Sequence, residues 1–431
     1  MSKLALLGGQ PVRTKPWPSW PVFDAGEERA LLEVLRSGKW WHLSLEEGAE
    51  AAGTAGVQPS SKVAEFERAF AALQRAQYGI ACATGTAALE IALKALGIGP
   101  GDEVIVPPYT FVATASAVLS INAVPVFVDI ESDTFNISPA RIQQAVTPGT
   151  KAIIPVHFAG QAADMESIFS IATKHQLRVI EDAAHAHGAA WRGRGLGSLG
   201  DAGTFSFQAS KNMTSGEGGA VLTNIEDLAV RCRSYVWGGR DVGRPWYEYH
   251  RLGWNYRLTE FQAAILLHQL KRVEAQTRIR LKNAQYLTGR LSSIPGIRPL
   301  KVTPDATTHS YHIYIFRFNP QEFGLERTQF LAALSREGVL CSEGYVHPLY
   351  RNPMFLNQDF YPRGCPITCG HYHSTIDYAS FADLCPNAER ACQEAVWLEH
   401  RQLLGSQDDM DDIAAAVEKI YENRQELLTV G

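Results

Sequence analysis

From residue 78 onward, short apolar runs alternate along the chain with longer amphipathic stretches. YGIACAT, DEVIVPP, AVPVFVDI, KAIIPVHF and LRVIEDAA are such runs, and GTFSF and GAVLTN follow them. Continuous Val and Ile are typical of strands buried on both faces, and the stretches between the runs repeat apolar residues at helical spacing. The alternation predicts an α/β protein with a mostly parallel sheet flanked by helices.

The flanks of this region predict further helices. One covers Ala25–Arg36, one starts after a Ser61 cap, and a long one runs from about Leu258 to Leu291. Residues 37–61 are rich in Gly, Ser, Pro and Trp, and we interpret them as a long loop. After IPGIRPL the chain alternates strand and helix, then becomes irregular, and two helices close it.

A chain of 431 residues is too long for one small core, so two lobes are expected. We predict an N-terminal arm over residues 1–25, a large domain over 26–270 and a smaller α+β C-terminal domain over 271–431.

The composition excludes several classes of partner. The net charge is −5 with no basic run, which argues against binding to nucleic acid or to an anionic membrane. No apolar stretch approaches the roughly 20 residues that span a bilayer, and the N-terminus does not resemble a signal peptide. Seven scattered cysteines predict no disulfide framework, so we expect a cytoplasmic protein.

The stretch from Val179 to Gly219 contains the strongest chemical signal. Asp182 ends a predicted strand, and Lys211 follows the next one in a Ser/Gly-rich loop. An acid there can keep the ring nitrogen of a pyridine cofactor protonated, and a lysine can form the Schiff base. The alternative is an acid in a solvated turn and a surface lysine.

Several other side chains fall at the predicted carboxyl ends of strands, where ligands bind in such sheets. Thr84-Gly85-Thr86 lies between a strand and a helix, as a phosphate site or an ordinary N-cap. Ser206 could reach the same phosphate or face a helix. Phe111 could stack on a cofactor ring or lie in the core. His185 could bond to the ring's phenolic oxygen or cover its face.

Two further motifs match the patterns of known binding sites but lack the sequence context that such sites require. Gly195–Gly200 matches GxGxxG, but it does not follow a strand and leads into one, so it fails the context of a dinucleotide site. The segment CPITCGHYH, residues 365–373, has zinc-type ligands at an unusual spacing with no second pair. We interpret it as a surface loop and predict no metal site.

Taken together, the ordered motifs resemble a known family. They are TGTAAL, PPYTFVATA, VPVFVDI, VIEDAAHAHGA, GSLGDAGTFSFQASKN, EGGAVLTN and LGWNYRLTEFQAAI. This succession is similar to the DegT/DnrJ/EryC1/StrS aminotransferases, which use pyridoxal 5′-phosphate on the aspartate-aminotransferase fold, fold type I. The resemblance covers nearly the whole chain.

The resemblance implies a role for each matching residue. Lys211 would hold the cofactor as a Schiff base, and Asp182 would pair with its ring nitrogen. Gly85, Thr86 and Ser206 would bind the phosphate, Phe111 would stack on the ring, and Asn255 would reach the cofactor of a second subunit in a homodimer. His185 stands where many relatives have glutamine. Relatives with histidine in place of the lysine are dehydratases, so Lys211 favours amino transfer.

The resemblance also suggests substrates. FSFQ and both terminal segments look most like glutamine-dependent scyllo-inosose aminotransferases of aminoglycoside pathways and 3-amino-5-hydroxybenzoate synthases. A free cyclic ketone as acceptor and glutamine, or glutamate, as donor are therefore expected. A nucleotide-linked keto-sugar is the alternative acceptor, and a non-catalytic regulator or a dehydratase are alternative functions. Tyr345, His347 and His157 are candidates for binding the ring hydroxyls.

Overall fold

The computed structural model describes residues 3–41 and 61–428, so most of the predicted loop over 37–61 lies outside the described residues. The strands are β1 (Tyr78–Cys82), β2 (Glu103–Val106), β3 (Val124–Phe127), β4 (Thr150–Ile153), β5 (Arg178–Asp182), β6 (Ala190–Trp191), β7 (Arg194–Gly195), β8 (Ala202–Ser206), β9 (Gly219–Thr223), β10 (Ile297–Pro299), β11 (Ala306–Thr308), β12 (Ile313–Phe318), β13 (Cys341–Ser342) and β14 (Ala395–Glu399).

The helices alternate with these strands through the first half of the chain. They are α1 (Ala25–Ser37), α2 (Lys62–Gln74), α3 (Gly85–Ala95), α4 (Ala113–Ser120), α5 (Pro139–Ala145), α6 (Met165–His175), α7 (Glu226–Val236), α8 (Glu260–Leu291), α9 (Pro320–Phe323), α10 (Arg327–Arg336), α11 (Pro353–Leu356), α12 (Phe381–Leu384), α13 (Pro386–Glu394), α14 (Gln407–Glu422) and α15 (Arg424–Leu428).

A seven-stranded sheet in the order β1-β9-β8-β5-β4-β2-β3 forms the centre of the molecule. Strands β8, β5, β4, β2 and β3 pair in parallel, whereas β9 is antiparallel to both β1 and β8. Strands β2, β8 and β9 are buried along their whole length, and β4 and β5 are buried except at Lys151 and Arg178. The prediction of a mostly parallel sheet flanked by helices is therefore confirmed.

Side-chain caps explain why the helices begin where the sequence predicts. The hydroxyl of Ser61 accepts a hydrogen bond from the backbone N–H of Ala64 at the start of α2. Thr84 caps α3 in the same way, through the N–H of Ala87. Such caps satisfy N–H groups that have no partner within a helix.

A second sheet of four strands has the order β10-β12-β14-β13. Its central pair is antiparallel, with Ile313 opposite Glu399 and Arg317 opposite Ala395. The sequence pattern did not predict strand β14, because AVWLE directly follows a helical stretch. A short apolar run does not distinguish strand from helix by its periodicity.

The packing does not follow the predicted boundary at residue 270. Helix α8 continues across it without a break. Further along, Phe355 and Tyr378 pack their rings against Phe127 of edge strand β3, at centroid distances of 5.1 and 5.7 Å. The segment that contains them thus covers the edge of the large sheet. The division into a large and a small domain stays a prediction.

The first residues of the chain pack on its last helices. Arg13 forms ion pairs with Asp409 and Asp412 of α14, at 2.6 and 2.8 Å. Glu337 accepts hydrogen bonds from the backbone N–H groups of Ala5 and Val12. The predicted N-terminal arm therefore packs on the C-terminal part of the chain.

The cysteine- and histidine-containing loop at residues 365–373 holds a local disulfide, Cys365–Cys369, while the other five cysteines are free. Among the described residues, no group of three or more His, Cys, Asp or Glu side chains is placed to bind a metal ion.

Within the same residues, no helix is both long and apolar enough to cross a membrane.

Candidate active site

A cavity of about 630 Å³ opens at the carboxyl end of the large sheet. The ends of β5 and β8, the N-terminus of α3 and the loop after β8 form its walls. Seven of the predicted site residues line it together: Gly85, Thr86, Phe111, Asp182, His185, Ser206 and Lys211. The predicted carboxyl-end location is typical of parallel sheets.

Asp182 supplies a buried carboxylate, only 5% exposed. One of its oxygens accepts a hydrogen bond from Thr114 Oγ1 at 2.8 Å, and the other accepts one from the backbone N–H of Ala184 at 3.2 Å. Burial raises the pKa of Asp182, and these hydrogen bonds together with Lys211 oppose the rise. A desolvated carboxylate at a cavity wall is suited to pair with a cationic ring nitrogen.

Lys211 presents its amine to the same cavity. Burial lowers the pKa of Lys211 to about 8, and the Asp182 carboxylate partly offsets that effect. The backbone N–H of Lys211 donates to the carbonyl of Gln208 at 2.9 Å, which fixes the loop that carries it. An amine with this pKa is partly unprotonated near neutral pH, so it can act as a nucleophile and a base.

The start of α3 and the end of β8 form a close-packed cradle. A Cβ atom on Gly85 would lie 2.7 Å from Cβ of Ser206, so glycine is required where helix and strand meet. The first backbone N–H groups of a helix have no partner within it, and the helix dipole is positive there. With Ser206 opposite, this cradle is suited to a phosphate group.

Phe111 and His185 form two further parts of the wall. Phe111 is 58% exposed, so an aromatic face is open to the cavity. His185 is buried, and its Nδ1 accepts a hydrogen bond from the backbone N–H of Ala159 at 3.3 Å. Burial holds the pKa of His185 well below its usual range, with Lys211 adding to the shift.

These observations fit pyridoxal 5′-phosphate. The cavity offers a carboxylate for a ring nitrogen, an amine of lowered pKa for an aldehyde, a cradle for a phosphate and an aromatic face for a ring. When bound, the cofactor supplies an electron sink for the carbon that exchanges nitrogen.

The structure corrects the expectation for His157. This side chain is fully buried, with Nε2 lying 2.8 Å from Glu181 Oε2 and Nδ1 accepting a hydrogen bond from the N–H of Ala163. Both ring nitrogens are occupied, so His157 cannot bind a substrate hydroxyl in this arrangement. The strand-end position suggested a ligand contact, but the side chain points away from the cavity.

The remaining predicted site residues lie outside the cavity wall. Tyr345 packs edge-on against Trp397, with ring centroids 4.9 Å apart. Burial raises the pKa of Tyr345, and the Asp182 carboxylate adds to that rise. His347 is exposed. Asn255 is also exposed and bridges to Trp237 through its backbone. Their predicted roles stay predictions.

The glycine-rich segment over residues 195–200 has a definite role in the structure. The backbone N–H groups of Gly197, Leu199 and Gly200 donate to the carboxylate of Glu181, at 2.7 to 2.8 Å. The loop therefore binds an anion, but the anion is a side chain of the same chain. This agrees with the rejection of the motif as a dinucleotide site.

Sequence reasoning missed several polar residues that line the cavity. They are Thr110, Thr114, Gln208, Ser210 and Glu217. Thr110 and Thr114 are four residues apart, and their hydroxyls lie 3.2 Å from each other. That spacing was the available signal, but common polar residues near a loop carry little information without their neighbours.

Comparison with known proteins agrees with this geometry. Residues 46–385 match the model of the DegT/DnrJ/EryC1/StrS aminotransferase family. The chain belongs to this family. It is thus a pyridoxal-phosphate-dependent aminotransferase with the fold of type I enzymes.

Two curated relatives of this aminotransferase come from different genera. A putative L-glutamine:3-amino-2,3-dideoxy-scyllo-inosose aminotransferase of Streptoalloteichus tenebrarius is 40% identical over 428 residues, 98% of either chain. An L-glutamine:2-deoxy-scyllo-inosose aminotransferase of Streptomyces fradiae is 39% identical over 442 aligned positions, the full length of both.

Among solved structures, 3-amino-5-hydroxybenzoic acid synthase superimposes with a TM-score of 0.82 at 32% identity, covering 96% of this aminotransferase and 100% of that chain. The aminotransferase from Psychrobacter cryohalolentis gives 0.80 at 30% identity, with 95% and 99% covered.

Proposed function

We propose that this aminotransferase moves an amino group from L-glutamine, or L-glutamate, to a cyclic keto-polyol such as scyllo-inosose or a 2-deoxy analogue, in the cytoplasm, for aminocyclitol and antibiotic biosynthesis. The names of full-length relatives at about 40% identity support the glutamine donor and the cyclitol acceptor.

The charge of the cavity is the observation that carries the choice of acceptor. Among the described residues that line it, Lys211 is the only Lys or Arg. Other polar groups on the wall are uncharged, such as Thr110, Gln208 and Ser210, or acidic, as in Glu217. Hydroxyls and amides suit a polyol, whereas a nucleotide diphosphate would need cations. A free cyclitol therefore fits better than a nucleotide-linked sugar.

The geometry of the cavity supports a proposed role for each of these residues. Asp182 holds the ring nitrogen of the cofactor in its cationic form. Lys211 carries the cofactor, and its amine takes a proton from the amino donor and returns one to the product. Gly85, Thr86 and Ser206 hold the phosphate, while Phe111 covers one ring face.

A homodimer is part of the proposal. The loop between α7 and α8 carries apolar side chains into solvent, with Tyr247 79% and Leu252 78% exposed, and Trp246 and Tyr249 beside them. Exposed apolar patches of this kind mark interaction sites. Asn255, on the same loop, would then reach the cofactor of the second subunit.

The test is a transamination assay of the purified holoenzyme. Glutamine and glutamate are offered as donors, with scyllo-inosose, 2-deoxy-scyllo-inosose and nucleotide-linked keto-sugars as acceptors. Amine product from a free cyclitol ketone, absent with Lys211→Ala, is expected. Amine product only from nucleotide sugars would establish the alternative acceptor, and loss of a hydroxyl without gain of nitrogen would establish a dehydratase.

A further inference from the structure

One ring nitrogen of His185 forms a hydrogen bond within the chain, and the other has no partner among the described residues. Its Nδ1 accepts a hydrogen bond from the N–H of Ala159, so Nδ1 carries no proton. A neutral imidazole with a bare Nδ1 carries its proton on Nε2. No described residue bonds to Nε2, and the ring lines the cavity. The ring is thus a donor whose free N–H belongs to the site.

His312 carries the opposite tautomer. Its Nδ1 lies 3.2 Å from Asn212 Oδ1, while Asn212 Nδ2 donates to the carbonyl of Ser310 at 2.9 Å. The amide oxygen of Asn212 can only accept, so His312 Nδ1 must donate. Asn212 follows Lys211 in sequence, so this bond links His312 to the lysine loop.

The two histidine rings lie against each other. Their centroids are 4.3 Å apart at an angle of 34°. One residue, Ala159, bonds to both histidines: its N–H donates to the His185 ring, and its carbonyl accepts from the backbone N–H of His312 at 2.8 Å. Ala159 has a φ of 56°, in the left-handed region that is unfavourable for alanine. Such strain persists where surrounding structure enforces it, often at functional sites.

We propose that His312 is a positioning residue that holds the His185 ring as a neutral Nε2–H donor to an oxygen of the bound cofactor. Protonation of His185 at Nδ1 would set two N–H groups against each other at Ala159. Among the described residues, Lys211, His187 and His312 face His185, and none of them is an acid that would stabilise an imidazolium. Asp182 lies on the same cavity wall but does not contribute to the shift in the pKa of His185. The donor therefore keeps its form across neutral pH.

The inference concerns the cofactor alone, so it stands whichever ketone is the acceptor. The test uses apoprotein reconstituted with pyridoxal 5′-phosphate, without substrates. Two quantities are measured, the dissociation constant of the cofactor and its absorption spectrum from pH 5.5 to 9.5. For the wild type, no spectral transition is expected near the ordinary histidine pKa of about 6.5.

His312→Leu removes the donor to Asn212 and the ring that packs on His185. We expect the dissociation constant of the cofactor to rise about tenfold, the loss of roughly one hydrogen bond, and a new spectral transition to appear between pH 6 and 7. The matched control is His309→Leu, because His309 is equally buried in the same segment but stacks on Tyr311 instead. It should leave both quantities unchanged.

Equal cofactor loss in His309→Leu and His312→Leu, or wild-type behaviour of His312→Leu, would overturn the proposal. If His312→Leu fails to fold, His312→Phe replaces it, because phenylalanine keeps a ring against His185 but removes the donor to Asn212, and the same outcomes apply. A second pair of variants tests the His185 donor itself. His185→Gln retains an amide donor and should stay within about twofold of wild-type affinity, whereas His185→Phe should lose about tenfold. Equal affinities in that pair would also refute the role of the donor.

Discussion

Two acids, adjacent at the end of strand β5, serve two different regions of the molecule. Glu181 faces a sealed region, in which three backbone N–H groups and His157 surround its carboxylate and both side chains are 0% exposed. Asp182 faces the cavity and accepts two hydrogen bonds. Successive strand residues point to opposite faces, so a shift of one residue separates these two environments.

The contrast shows what distinguishes a structural acid from a reactive one. The fold supplies four hydrogen-bond donors to the carboxylate of Glu181, so neither of its oxygens has a lone pair left to accept a bond from a ligand. Asp182 is buried with fewer partners, and burial raises its pKa. Since a buried carboxylate is costly unless it is paired, the second region is poised for a cation from outside the chain.

The largest expected effect comes from Asp182→Asn. Removing the charge that we propose to pair with the cofactor's ring nitrogen should lower kcat by about 10²- to 10⁴-fold. Asparagine can still accept from Ala184, and the Thr114 hydroxyl can rotate to accept from the amide, so the free energy of unfolding should change little. Steady-state kinetics and denaturant melts measure the two effects. A variant that is fully active would refute the proposed role of Asp182.

Glu181→Gln should show the opposite pattern, with a large loss of stability and little change in kcat. An amide cannot accept from every donor around Glu181, so a buried N–H loses its partner and the pairing with His157 is weakened. We expect the free energy of unfolding to fall by about 3 kcal/mol. At a temperature where the variant is folded, its kcat should remain within a few-fold of wild type. An unchanged melting curve would contradict the structural role.

Two glycines extend the comparison to the loops of each region. Gly85→Ala would place a Cβ 2.7 Å from Ser206 Cβ in the cradle, and the cofactor dissociation constant should rise about tenfold. Gly197→Ala, at a φ of 82°, would place a Cβ 2.4 Å from the ring of Phe205 and should lower the free energy of unfolding by about 2 kcal/mol. Fluorescence titration with the cofactor distinguishes the two variants, because only Gly85→Ala should bind the cofactor more weakly. A tenfold weaker binding of the cofactor by Gly197→Ala would show that the two regions are coupled.

The smallest expected effect is a shift in the pH at which the apoprotein incorporates the cofactor. Because burial lowers the pKa of Lys211 to about 8 from 10.5, the fraction of free amine in apoprotein rises as pH increases through about 8. The rate of cofactor incorporation should rise with it and level off above pH 9. Stopped-flow absorbance from pH 6.5 to 10 measures this rate. A midpoint near 10.5 would mean that the amine is solvated.

The sequence by itself determined the parts of this protein that depend on local pattern. Val- and Ile-rich runs, helical spacing and caps such as Ser61 and Thr84 predicted the central sheet and most of its helices, because each signal lies within a few residues. The acid and the lysine were found in the same way, since Asp182 ends one strand and Lys211 lies in the loop after the neighbouring strand, and the ends of these strands meet at one edge.

Tertiary structure alone decided which polar groups face each other. His157 and Glu181 are 24 residues apart, and Asn212 and His312 are 100 apart, so no local pattern records their pairing. The same holds for β14, an ambiguous apolar run that becomes a strand because β12 offers it hydrogen bonds. Partners distant in sequence separate a sealed carboxylate from a reactive one, and they meet only when the chain has folded.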